Sequence, residues 1–181
     1  MTEFVLFCVP TIIYLIVQSR GENRSFRTAR HRVGLVWGTA AAYGWALLLL
    51  LPLALTGWLA VVLVPSEVLE LPGVSIAQLT SLSVAVGIVF RAVGEEVFFR
   101  GLLGGVLIRR LGFGWGNLLQ AILFLVPHLA LLLIDVRMWP IIPVQFAAGW
   151  LLGWLRHKTG TFVPGAVVHV LANIVAGLIT A

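Results

Sequence analysis

Apolar residues run along this chain in long blocks, broken by short polar interruptions, and most blocks approach or exceed the length a helix needs to cross a bilayer. The pattern predicts six spans, roughly Phe4–Val17, Val33–Val64, Ile76–Ile108, Trp115–Leu133, Trp139–Leu155 and Phe162–Thr180. In hydrocarbon every backbone N–H and C=O must be paired within the protein, and unbroken apolar blocks meet that demand as helices. The predicted fold is therefore all-α, a polytopic transmembrane helix bundle with its polar chemistry inside. Two blocks exceed the ~20 residues one crossing needs. In the second, Pro52 could kink or end the helix. In the third, Gly87 and Gly94 precede a charged cluster, and a break near Arg91–Gly94 would let backbone line a polar cavity. Pro65–Gly73 and the turn around Gly112–Gly116 read as connectors.

Composition supports the membrane assignment. Of 181 residues, 60% are hydrophobic and 10% charged, against about 25% charged in soluble domains; mean hydropathy is +1.06. The length suits a single membrane domain, residues 1–181. Glu3 stands where a signal peptide would carry basic residues, and no small-residue cleavage site follows, so the first block reads as a retained helix. The lone Cys8 allows no internal disulfide. The pI near 10.7 is not a nucleic-acid signal, because the basic residues sit in loops that set topology. Arg20, Arg24, Arg27, Arg30 and Arg32 follow the first span, Arg109 and Arg110 the third, and Arg156 and Lys158 the fifth, nine of the twelve on one side. Arg137 lies opposite with Glu67, Glu70 and Asp135. The positive-inside pattern places the basic loops in the cytoplasm and the N-terminus outside. Most tryptophans fall near span ends, Trp45 excepted.

A few polar residues remain inside the spans. Glu95 and Glu96 lie in a greasy stretch with Arg91 and Arg100; His128 is in the fourth span, His169 and Asn173 in the last. A charge near the bilayer centre costs roughly 2.5–3.5 kcal/mol on insertion scales, so such groups mark function by default. Arg91/Glu95, Glu96/Arg100, Phe124/His128 and His169/Asn173 are i, i+4 pairs that share a helix face. Adjacent Glu95 and Glu96 point about 100° apart and are expected to have different partners, Arg100 for Glu96 and either Arg91 or the bundle interior for Glu95. Each feature alone has a plainer account: a structural ion pair at Glu96–Arg100, a helix–helix hydrogen bond at His128, interhelical glue at Asn173. His31 and His157 lie in basic loops and read as solvated. The plainer accounts weaken together, because three separate spans deliver unusual polar groups at similar depth.

Two carboxylates, two imidazoles and an amide suffice for hydrolysis by water. A carboxylate sheltered from solvent can act as general base near neutral pH. Histidine can position water, bind a metal or protonate a leaving amine, and imidazole plus amide can donate to an oxyanion. Equally, Glu96, His128 and His169 form the two-His, one-Glu donor set that would hold a divalent metal such as zinc.

Three elements in order, Glu95-Glu96-x-x-x-Arg100, Phe124-x-x-x-His128 and His169-x-x-x-Asn173, resemble the CPBP family of CAAX-protease and bacteriocin-processing membrane proteins, also known as type II CAAX endopeptidases or Abi proteins. Phe99-Arg100-Gly101-Leu102-Leu103, Thr159-Gly160-Thr161 and Pro164 extend the likeness, which covers about Gly87 to Asn173. It implies an all-helical intramembrane endopeptidase acting on membrane-associated proteins or peptides, the prenylated CAAX type among them. Glu95 or Glu96 would activate water, the first being favoured. His128 would position the water or a metal, His169 and Asn173 would form the oxyanion site, and Arg100 would orient the glutamates. The family is often described as metalloproteases, though this chain lacks His-Glu-x-x-His.

Other intramembrane protease classes fit poorly. No serine lies in spans four to six, and Asp135, the only aspartate, is in a loop. Two other function classes stay open. One is a catalytically silent binding or immunity protein, against which the intact polar set argues. The other is a small proton-coupled carrier, against which the lack of an internal repeat argues.

Overall fold

The computed structural model describes residues 2–20, 25–71, 74 and 81–179. Among these the regular structure is entirely helical. The order is α1 (Thr2–Ser19), α2 (Phe26–Val33), α3 (Ala40–Val62), α4 (Ser66–Leu69), α5 (Leu82–Glu95), a π-helical segment (Glu96–Gly104), α6 (Gly105–Leu129), α7 (Leu131–Ile134), a 3-10 turn (Val136–Met138), α8 (Ile141–Thr159) and α9 (Val163–Ile179). Four segments are long and apolar enough to cross a membrane: Thr2–Ser19, Ala40–Val62, Leu82–Ile134 and Val136–Thr159; Val163–Leu178 is a shorter apolar helix. Leu6, Leu47, Leu51, Trp115 and Leu133 are exposed, an apolar exterior suited to lipid rather than water.

The 53-residue segment Leu82–Ile134 is folded back on itself. Gly112, at φ 74 and ψ 170, breaks α6 in a region that favours glycine. Gly116 then packs against the backbone of Ile108, and the rings of Phe99 and Phe124 meet at 5.2 Å. Both contacts are symmetric about residues 111–112, so the arms form an antiparallel hairpin. This is the connector expected at Gly112–Gly116, and it carries His128 back toward the glutamates.

Of the two outcomes expected at Pro52, an end is not what occurs: α3 runs through to Val62, with Thr56 Oγ1 donating to the Pro52 carbonyl at 2.7 Å. Two further expectations on the helices are corrected. Residues 35–39, placed in the second span, precede α3. The irregular backbone near the charged cluster is not at Arg91–Gly94, where α5 is regular, but in the π segment that begins at Glu96. Such widened turns inside α-helices recur at functional sites. Thr11 Oγ1 of α1 donates to the Val97 carbonyl within this segment at 3.3 Å. The start of the third predicted span at Ile76, the end of the connector at Gly73, the basic Arg24 and the terminal Thr180 lie outside the described residues.

Helix α1 runs parallel to α5 and the π segment, with Phe4 against Phe90 and Phe7 against Phe98 and Phe99. Gly94 permits this approach, since a Cβ there would sit 3.2 Å from the Phe4 Cα. Helices α3, α8 and α9 close around Ala46, Leu53, Leu152, Leu155 and Val168. Three of the loop arginines meet at one end, where Arg109 and Arg156 both donate to the Arg32 carbonyl, at 2.7 and 3.2 Å. At the other end Arg137 pairs with Asp135 and Glu67, at 2.8 and 3.0 Å.

Candidate active site

Glu95 ends α5, and Glu96 and Arg100 open the π segment. His128 sits in the last turn of α6, and His169 and Asn173 lie on α9. Local chemistry sets the start of α9. Gly160 closes α8 at φ 73, a left-handed cap that glycine makes without strain. Thr161 Oγ1 then accepts from the Val163 N–H at 3.1 Å, a local turn that pairs the first N–H of the new helix, and donates to the Val36 carbonyl. Pro164 falls in the first turn, where its missing N–H costs nothing. The Thr159-Gly160-Thr161 element therefore aims His169 by fixing where its helix begins.

Glu96 and Arg100 are both 0% exposed and pair at 2.9 Å between Oε1 and Nη1. The guanidinium also donates to the Ala148 carbonyl of α8 at 3.3 Å and lies 4.1 Å above the Phe124 ring, a desolvated cation–π contact. The expected Glu96–Arg100 pairing is thus present. The two glutamates do not, however, have separate partners. His169 Nδ1 contacts Glu96 Oε1 at 2.9 Å, while its Nε2 lies 3.8 Å from Glu95 Oε2. Carboxylates diverging on one helix can share a ring because the ring presents nitrogens on two edges. A carboxylate paired with a guanidinium accepts, so Nδ1 donates to Glu96 and Nε2 faces Glu95. Of the alternatives left for Glu95, the bundle interior is the one found. Arg91 turns to Glu3 of α1 at 2.7 Å.

A cavity of about 430 Å³ lies before this cluster. Glu95, His128, His169 and Asn173 line it; Glu96 and Arg100 stand behind its wall. His128 Nδ1 contacts the Phe124 carbonyl at 2.9 Å. A carbonyl only accepts, so Nδ1 carries the proton and Nε2 is left as the acceptor. The i, i+4 spacing of Phe124 and His128 thus has a second use: backbone and ring of Phe124 hold the imidazole and the guanidinium in turn. Gln145 of α8 also lines the cavity, and the sequence reading passed over it. Its signal was an uncharged polar side chain in an apolar span, the same one that singled out Asn173. Asn117 and Gln120, fully buried, were passed over too. They donate to the Trp150 and Gly149 carbonyls at 3.1 and 3.2 Å and tie α6 to α8.

The metal set is corrected. Among the described residues no three His, Cys, Asp or Glu side chains are grouped to hold a metal ion. Glu96 is walled off from the cavity by its two partners, so Glu96, His128 and His169 do not converge on one point. The residues do not fit a resident zinc, and no step is derived through one.

A family model described as type II CAAX prenyl endopeptidase Rce1-like matches residues 77–175, just over half the chain and all of the cluster above. The chain belongs to this Rce1-like family. No curated protein and no solved structure matches it. The Rce1-like match encloses the Gly87–Asn173 region that carried the resemblance, and makes this a CAAX-type intramembrane endopeptidase at the level of family. Helices α1 and α3 lie outside the matched residues, yet α1 supplies Glu3 and α3 supplies Gly57, Ala60 and Val61 to the cavity wall.

Proposed function

We propose that this protein is a multi-pass intramembrane endopeptidase in which Glu95 activates the attacking water. One observation carries the assignment: of two adjacent glutamates, Glu96 is enclosed and committed to Arg100 and His169, whereas Glu95 reaches the cavity. A general base must touch the proton it takes, and Glu95 is the one placed to do so. Glu96 is a positioning residue, holding His169 through Nδ1.

A water between Glu95 Oε2 and His169 Nε2 gives up a proton to Glu95. Its oxygen bonds to the substrate's carbonyl carbon, and the carbonyl oxygen takes the negative charge. Asn173, which lines the same cavity, donates its amide N–H to that oxyanion in this reading, the kind of preorganised contact whose removal costs about 10²–10³-fold in rate. The C–N bond then breaks, the carbonyl re-forms, and Glu95 passes its proton to the leaving amine. Substrates are membrane-associated peptides or proteins, the CAAX-type prenylated class included. With the basic end of the bundle in the cytoplasm, the N-terminus and Arg137 lie outside.

The test is cleavage of a quenched-fluorescence peptide panel, prenylated and plain, by purified protein in detergent. Cleavage by wild type and none by Glu95→Gln supports the reading, as does activity indifferent to a chelator. Retained cleavage by Glu95→Gln with loss in Glu96→Gln would reassign the base. Wild type that binds but cuts no peptide would make this a binding or immunity protein.

A further inference from the structure

The cavity carries one pairing that the proposed hydrolysis does not use. Arg91 donates from Nε to Glu3 Oε2 at 2.7 Å and from Nη2 to Glu3 Oε1 at 3.2 Å. A planar guanidinium thus grips both oxygens of one carboxylate, the fork geometry by which arginine recognises carboxylates. Both side chains line the cavity that holds Glu95, His128 and His169. They are 43% and 55% exposed, so they form its rim. Replacing Glu3 by a substrate carboxylate on the same fork exchanges one carboxylate for another.

The position of Arg91 relative to Glu95 gives the pair a second meaning. Arg91 and Glu95 stand one turn apart on α5, about 6 Å along the helix axis. With the reach of the arginine side chain, that separation matches about two to four residues of extended peptide at about 3.3 Å each. A carboxylate brought near Glu95 meets like charge, and a cation at this place offsets it.

Resting on the endopeptidase reading of this cavity, we propose that Arg91 is the receptor for the free α-carboxylate of a peptide substrate, and that Glu3 occupies the guanidinium fork until the substrate displaces it. Arg91 is then a specificity-determining residue. It sets the distance from the chain end to the water-activating carboxylate.

The experiment uses pairs of quenched-fluorescence peptides, identical except for a C-terminal acid or carboxamide, each with and without a prenyl group. Wild type, Glu3→Gln, Arg91→Gln and Arg91→Lys are compared as purified full-length protein. Wild type should prefer the acid by about 10- to 100-fold in kcat/KM, the worth of a charge-assisted hydrogen bond. Arg91→Gln should bring the acid-to-amide ratio close to one, mainly through KM, and Arg91→Lys should restore part of it. Glu3→Gln should act in the opposite direction and lower KM for the acid. A pair that merely ties α1 to α5 makes Glu3→Gln and Arg91→Gln behave alike, with the ratio unchanged. That result, or equal cleavage of acid and amide by wild type, overturns the proposal and leaves the endopeptidase standing. Cleavage of no peptide at all overturns both. If Arg91→Gln does not fold, the wild-type ratio and Glu3→Gln decide.

Discussion

Two arginine–glutamate pairs lie nine residues apart on the run from α5 into the π segment. Arg100 and Glu96 are fully enclosed, and Arg91 and Glu3 are about half exposed. The chemical partners are the same and the distances differ little, so what separates them is solvent. In the buried pair each charge depends on the other, and removing one strands its partner. At the rim water can take either partner's place, so the pair is exchangeable. The first arrangement suits a fixed scaffold behind a reacting group and the second suits recognition.

The strongest way to break this comparison is Glu96→Ala. It leaves Arg100 in a site with no exposure, and losing one partner of a buried ion pair costs about 3–5 kcal/mol. The expected result is a large fall in melting temperature in detergent, with cleavage lost as well because His169 loses its anchor. An unchanged melting temperature would mean that the enclosed pair is no scaffold.

Next in size is Glu95→Gln, which touches neither pair. Loss of a general base costs about 10²–10⁴-fold, while the amide keeps the volume of the carboxylate. Cleavage should therefore vanish at a melting temperature close to wild type. The contrast with Glu96→Ala sharpens the comparison: one glutamate is needed for turnover and its neighbour for the fold and for turnover. Equal loss of stability in the two variants would erase that division.

Much of this division was legible in the sequence, and the part that was not has a physical cause. Glu95, Glu96, Arg100, His128, His169 and Asn173 stood out because a polar group in an apolar span must be compensated, and the i, i+4 spacing showed which share a face. Glu96–Arg100 could be read that way, since both belong to one helix. Glu3–Arg91 could not, because 88 residues separate them and no local pattern records that α1 runs beside α5. The sharing of His169 by both glutamates was hidden for the same reason. The π segment was displaced in the reading because glycines mark where a helix is able to deform, whereas the deformed stretch is the one that α1 contacts through Thr11 and Phe7. The hairpin at Gly112 was legible, since apolar blocks on both sides needed a turn between them.

That hairpin gives a third prediction. It brings Phe124 over Arg100, so the buried pair depends on close approach of the two arms. A Cβ at Gly116 would lie 2.6 Å from the Ile108 N and Cα, and backbone cannot move aside as a side-chain tip can. Gly116→Ala should cost about 1–3 kcal/mol, as overpacking does. The same change at Gly114, where a Cβ meets nothing within 4 Å, should cost far less. Equal melting temperatures for the two variants would show that the arms are not in contact as described.

The smallest effect is expected at Arg137, which repeats the rim arrangement and is not among the residues that line the cavity at Glu95. Its guanidinium holds Asp135 at 2.8 Å and Glu67 at 3.0 Å, and its hydrogen bonds keep the Asp135 carboxyl below the usual aspartate range. Any stability from that shift is present above the ordinary aspartate value of about 3.9. It fades as the pH falls through the lower value in the folded protein. Because Arg137 and Glu67 are more than half exposed, the whole contribution is small. Arg137→Ala should therefore leave both the melting temperature near neutral pH and the acid-to-amide cleavage ratio at their wild-type values. Arg91→Gln should change that ratio even where its melting temperature is equally unmoved. Two exposed arginine–carboxylate pairs would then differ only in whether a substrate can reach them. A change in the cleavage ratio on removing Arg137 would instead assign carboxylate selection to the general charge of this end of the bundle rather than to the fork at Arg91.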